Sequence, residues 1–259
     1  MEQLNQISAT YFKNFNFYIR EKAVLFWNIA WPTIILLLNN FLYARNYPEN
    51  LTGSVRATTT IMMIVITIMI SCISMLPGNI SEDRVIGLFK KLISMPIKPW
   101  KDFVGRILSL MTFSLIAVLI VLAVGIASGA RFSISTIKIL QAIYFIILII
   151  LSSAGIGLII GSFLKHIIGA IMTGIGITVL INILIGLPYK IIPDYLKVFL
   201  KFLPFSSINS SLIHLLVGES FAGYNPFNAI QAIFTPIISI IIFIIGLILY
   251  SNLCWRSEK

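Results

Sequence analysis

The chain has 259 residues, 58% of them hydrophobic and 11% charged, with a mean hydropathy of +0.99. Soluble domains carry about a quarter charged residues, so this composition excludes an ordinary soluble enzyme and places the chain in the membrane class. The formal net charge of +10 does not point to nucleic acid: the basic residues flank apolar runs without a basic-aromatic module, a pattern that sets membrane topology and meets anionic headgroups.

Residues 4–22 come first. Ile7, Tyr11, Phe15 and Ile19 recur at four-residue steps, with Asn5, Lys13, Asn16 and Arg20 falling mostly elsewhere. This spacing predicts an amphipathic helix lying in the inner membrane interface. No apolar core with a small-residue cleavage site precedes the first long apolar run, which is expected to stay as an anchor. Six runs approach the roughly 20 residues a 30 Å hydrocarbon core requires. They fall at about 24–44, 57–76, 107–127, 137–160, 167–187 and 228–250. Backbone groups in lipid must be satisfied within their own segment, so the expected fold is an all-α membrane protein with six transmembrane helices in a single domain, 1–259.

With the N-terminus inside, the inner segments hold twelve Lys and Arg and the outer segments seven, so both termini are expected in the cytoplasm. Between spans five and six, residues 188–227 contain apolar pieces too short to cross, at Tyr195–Leu203 and Ile208–Val217, punctuated by Pro193, Pro204 and Pro226. They predict outer re-entrant or interfacial helices before span six.

The chemistry that is absent narrows the function. The sequence has no G-x-x-x-x-G-K-[ST], G-x-S-x-G or H-E-x-x-H. Cys72 and Cys254 form no redox or metal motif, and His166 and His214 fall in different loops, so no metal site is expected. All nine acidic residues lie outside the interiors of the predicted spans, which speaks against proton- or ion-coupled transport. Small-residue stripes at Gly125-x-x-x-Gly129, Ser153-x-x-x-Gly157-x-x-x-Gly161 and Ala170-x-x-x-Gly174 suit close helix packing, within the chain before dimerisation. Thr67 and Ser71 carry hydroxyls on one side of span two, where they either line a polar path or bond backbone carbonyls. Asn39 and Asn40 in span one and Asn182 in span five are amides that need partners rather than lipid. These five are the candidates to line a polar path.

The charged island Ser81–Arg106 holds nine charged residues in 26 positions. Leu88, Leu92 and Met95 recur at helical steps with Phe89 beside them. Glu82 and Asp83 stand at the start, Lys90 and Lys91 near the end, and Pro96 and Pro99 stop the pattern. The charges match a helix dipole and predict one inner helix from Glu82 to Met95 between spans two and three, suited to the groove of a soluble partner.

These residues resemble the ABC-2 type permease family, the membrane subunits of many bacterial drug, polyketide and polysaccharide exporters. An acidic residue, a glycine, a leucine and a proline mark that family's loop between spans two and three, and Glu82, Gly87, Leu92 and Pro96 match them. Pro193 and Pro204 match its proline-punctuated segment before the last span. The pair Lys90–Lys91 departs from the pattern. The resemblance implies a permease of an ATP-driven exporter that moves a hydrophobic or amphipathic drug, antibiotic, peptide or lipid-like substrate out across the bacterial cell membrane. It further implies a homo- or heterodimer of permeases with two copies of a separate ATPase. ATP and Mg would bind that partner, with no cofactor held and no catalysis performed by this chain. On this reading the inner loop is a coupling helix, with Glu82, Asp83, Arg84, Gly87 and Leu88 in ATPase coupling and Asn39, Asn40, Thr67, Ser71 and Asn182 on the substrate path. The alternative is an ATP-independent secondary carrier or channel.

Overall fold

The computed structural model describes residues 2–94, 98–186, 193–222 and 224–255. Met95 and Pro96 of the predicted inner helix, and Lys190, Arg256 and Lys259 of the charge count, lie outside the described residues. In chain order the helices are α1 (Glu2–Arg20), α2 (Lys22–Leu42), α3 (Glu49–Val85), α4 (Leu88–Ile93), α5 (Pro99–Ala127), α6 (Thr136–Phe163), α7 (Ile167–Gly186), α8 (Asp194–Phe202), α9 (Pro204–Leu216), α10 (Glu219–Ala222) and α11 (Ala229–Cys254). No strand occurs among the described residues. The six helices α2, α3, α5, α6, α7 and α11 are long and apolar enough to cross a membrane.

The most deeply buried of these is α3, with most of its residues covered by the rest of the chain. Its neighbours reach it through glycine. A Cβ on Gly157 of α6 would lie 2.0 Å from the Cys72 carbonyl oxygen, and one on Gly174 of α7 would lie 2.1 Å from that of Ile73. No side chain fits at either position, so two of the small-residue stripes bring backbones together inside this chain.

Two elements differ from their sequence-based bounds. At 37 residues, α3 is about 56 Å long and carries span two well past residue 76 to Val85. Pro77 ordinarily ends a helix, because it lacks a donor and its ring crowds the preceding turn. Here a π-turn at Ile70–Met75 precedes it and absorbs the irregularity. The inner helix is not continuous from Glu82 to Met95. The chain turns at Ile86–Gly87, where Gly87 adopts the left-handed conformation (φ 71°), and α4 starts at Leu88. That conformation disfavours any residue with a Cβ, so the glycine sets the corner.

Further π-turns lie in the first span at Phe26–Ala30 and at its end, Asn39–Tyr43. The helices α8 and α9, of 9 and 13 residues, are about 14 and 20 Å long, too short to cross. α9 is nonetheless buried almost throughout, and its Ser207 hydroxyl meets that of Thr235 on α11 at 2.8 Å. At this same end the turn after α5 is pinned by Ser133 N–H donating to the Leu216 carbonyl (2.7 Å). At the opposite end α1, the end of α3, the start of α5 and the end of α11 converge.

Candidate functional site

Where those four helices converge, Arg106 is 1% exposed, although it is charged. Burying an unpaired guanidinium is prohibitive, so its N–H groups must find acceptors. Nε donates to Asp102 Oδ2 one turn earlier on α5 (2.8 Å), one terminal nitrogen to Asn79 Oδ1 on α3 (2.7 Å), and the other to Asp83 Oδ2. Asp83 and Asp102 are buried too, and each is shared with another helix. Lys13 of α1 pairs with the second oxygen of Asp83. Tyr250 of α11 donates its hydroxyl to Asp102, and Thr10 of α1 donates to the other Asp102 oxygen at 3.5 Å. The two carboxylates thus balance Arg106 and Lys13.

α1 lies against α5 because Gly105 permits it. A Cβ there would stand 2.8 Å from both the Ile7 carbonyl oxygen and Thr10 Cβ. Two turns further, Tyr18 is fully buried against Phe113 (centroids 5.3 Å). Burial pushes its phenol above its ordinary value, so it stays protonated. The face of α1 turned to the protein therefore runs through Thr10, Asn14 and Tyr18. The stripe read from the sequence lies about one residue round the helix: Tyr11 and Phe15 stack at 5.6 Å, half-buried, and Phe12 and Ile19 are exposed.

α4 attaches to this cluster through one side chain. Phe89 is buried, with the Arg106 guanidinium 5.3 Å from its ring centroid and Tyr250 and Trp255 edge-on at 6.0 and 5.9 Å. Lys90, Lys91 and Ile93 are exposed on the same short helix. A six-residue helix is unstable alone, so its position is set by the Phe89 anchor and the Gly87 corner. Through Phe89, α4 touches Arg106 of α5 and Tyr250 of α11, whose carboxylate partners, Asp83 of α3 and Asp102 of α5, are also bonded by α1.

The residues expected to couple to a partner take different places. Asp83 faces into the cluster. Arg84 reaches sideways: its guanidinium donates to the carbonyls of Ser162 (2.8 Å) and Leu253 (3.0 Å), tying α3 to the last turns of α6 and α11. Glu82 and Leu88 are half-buried, and a Cβ on Gly87 would have open space around it. Between α4 and the ends of α6 and α11 lies a cleft of about 650 Å³, lined in part by Arg84, Lys90 and Lys165.

The path candidates divide into two groups. Asn28 Nδ2 donates to Ser71 Oγ (2.5 Å), and Ser71 and Thr67 each donate back to a carbonyl one turn earlier. Near the other end of α3, Asn40 donates to Ser128 Oγ (2.6 Å) and accepts from Thr59 (2.8 Å). Thr59 and Ser71 are twelve positions apart, about 18 Å along the helix. Asn28, Asn40 and Ser71 all fall in the π-turn segments. Asn39 is half-buried beside Asn40, and Asn182 is half-buried on α7 and joins neither group.

Lys13, Asn79, Phe89, Asp102, Arg106 and Tyr250 were not among the sequence-selected residues. The spacing Asp102-x-x-x-Arg106 at the head of a span was the available signal, since a charge pair one turn apart stabilises a helix. It identifies the pair but not the three other helices. Among the described residues, no group of three or more His, Cys, Asp or Glu could hold a metal.

A family model described as ABC-2 type transporter matches residues 5–217, from α1 through the end of α9. No curated protein matches the chain.

Proposed function

The chain belongs to the ABC-2 type transporter family, and from that premise we propose that it is the membrane half of an ATP-driven exporter. Its multi-pass membrane character and its place as a transporter permease follow from the family and the six apolar helices. The family generally works with a separate ATPase subunit. Our reading adds that two ATPase copies serve a homo- or heterodimer of permeases in a bacterial cell membrane, that both termini are cytoplasmic, and that the cargo is a hydrophobic or amphipathic drug, antibiotic, peptide or lipid-like molecule moved outward. ATP and Mg²⁺ sit on the ATPase and supply the hydrolysis. This chain contributes the receiving surface and the relay. α1 lies in the inner interface, and α8 and α9 form a re-entrant pair at the outer face.

The observation that carries this reading is α4. Its outward side is exposed and cationic, while its one buried side chain stacks on the charge cluster joining four helices. A short helix with one face free and one face wired to the spans is suited to receive a push from a soluble subunit. Glu82, Gly87 and Leu88 shape the corner that presents it. Asp83 and Arg84 hold the spans to which the push is delivered. The hydroxyls and amides around Ser71 and Asn40 mark the irregular parts of α2 and α3 where a path would open, with Asn39 and Asn182 beside it.

Co-purification with a candidate ATPase subunit tests the docking assignment. Lys91→Glu and Glu82→Lys are expected to weaken complex formation and substrate-stimulated ATP hydrolysis. Unchanged values for both variants would remove α4 as the docking element. Substrate movement in liposomes by this chain alone, without ATP, would instead favour the secondary-carrier reading.

A further inference from the structure

The cleft beside α4 shares Phe89 with the buried charge cluster, but its chemistry is of a different kind. Arg84 and Lys90 line it with Lys165, and among the described residues no acidic side chain lines it. Its remaining wall includes Val85, Phe163 and Leu253, all exposed. Cations above an apolar wall match an anionic headgroup with acyl chains below it.

The position agrees with that chemistry. α6 has 28 residues and α11 has 26, about 42 and 39 Å, so both overshoot a roughly 30 Å hydrocarbon core. The cleft is formed by their last turns, at the depth of the headgroups. Arg84 is held there by the Ser162 and Leu253 carbonyls, its charge fixed at the rim. Lys90 approaches from α4, the helix that moves in the proposed cycle.

We propose that this cleft binds one anionic phospholipid, whose headgroup bridges Lys90 of α4 to Arg84 at the ends of α6 and α11. The lipid fastens α4 to the spans beside Phe89, which also lines the cleft. An acidic segment of the ATPase could satisfy the same cations, but it would leave Val85, Phe163 and Leu253 without a lipid-like partner. The apolar wall favours the phospholipid.

Native mass spectrometry of the full chain in detergent, with equimolar dioleoyl phosphatidylglycerol and dioleoyl phosphatidylcholine, tests the site. One phosphatidylglycerol per chain is expected to be retained in preference to phosphatidylcholine. A lysine near an anionic surface contributes about a five-fold preference, so Lys90→Gln is expected to lower the ratio about five-fold and Lys90→Glu further. Lys138→Gln, at the other end of the molecule, is expected to leave it unchanged. Equal retention of the two lipids, or a preference insensitive to Lys90, would overturn the proposal. So would displacement of the lipid by soluble glycerol phosphate, which would mark the cleft as a free-phosphate site. Complete release on adding the ATPase would assign it to a protein interface. Failure of ATPase docking with lipid retention intact would leave the lipid site standing and refute the docking reading alone.

Discussion

Arg106 organises the cluster, and the strengths of its bonds are unequal. Its pair with Asp83 is buried on both sides, whereas Lys13 in the neighbouring pair has a side chain 42% exposed. A buried charge left without its partner costs about 3–5 kcal/mol, and a pair screened by solvent is worth about 1 kcal/mol or less. Asp83→Asn is therefore expected to lower the unfolding temperature in detergent sharply, and Lys13→Gln only slightly. Equal effects would mean that α1, not Arg106, is the main partner of Asp83. Tyr250→Phe removes one hydrogen bond to Asp102 and is expected to cost about 1–2 kcal/mol in the same melt. The sequence made the charges visible but not their company. Asp83 reads as an exposed loop acid because hydropathy falls after residue 76, while the helix runs on to Val85. Lys13 and Tyr250 are distant in sequence and meet Asp83 and Asp102 only when the first and last helices pack.

At the scale of elements, two glycines decide what is attached and how. Gly105 lets α1 lie against α5, and a larger side chain there meets the Ile7 backbone, which cannot rotate away. Gly105→Leu is expected to lift α1 and raise its amide hydrogen exchange and its cleavage at Lys13 and Arg20. Gly176→Leu, where a Cβ would meet nothing within 4 Å, is expected to change neither. Similar protection in both variants would show that α1 is held by the charge pair alone. Gly87 sets the corner before α4, and an L-residue there costs about 1–2 kcal/mol in the left-handed conformation. The amphipathic character of α1 was legible from its periodicity, but its protein-facing side was not. Thr10 is polar and faces inward because it donates to Asp102, and Asn14 is buried on the same face although its amide meets no hydrogen-bond partner among the described residues. The break at Gly87 was hidden because helical spacing of Leu88 and Leu92 continues on its far side.

For the whole molecule, the six spans were legible because a run of about 20 apolar residues has few alternatives. The burial of α3 was not, since packing depends on which glycines face one another. Orientation is open to direct test. Lys91→Cys and Lys138→Cys, each in a chain lacking Cys72 and Cys254, are expected to react with impermeant maleimide only from the inside and only from the outside, respectively. The reverse pattern would place α4 away from ATP and end the coupling reading.

In the proposed cycle α4 drives the spans through Phe89. Burying a phenylalanine side chain is worth about 3–5 kcal/mol against alanine, enough to hold a six-residue helix in register. The decisive measurement is transported substrate per ATP hydrolysed, in liposomes carrying the permease with its ATPase, for the native chain and Phe89→Ala. Phe89→Ala is expected to keep the complex and its ATP hydrolysis but to lose most transport per ATP. An unchanged ratio in an intact complex would contradict it.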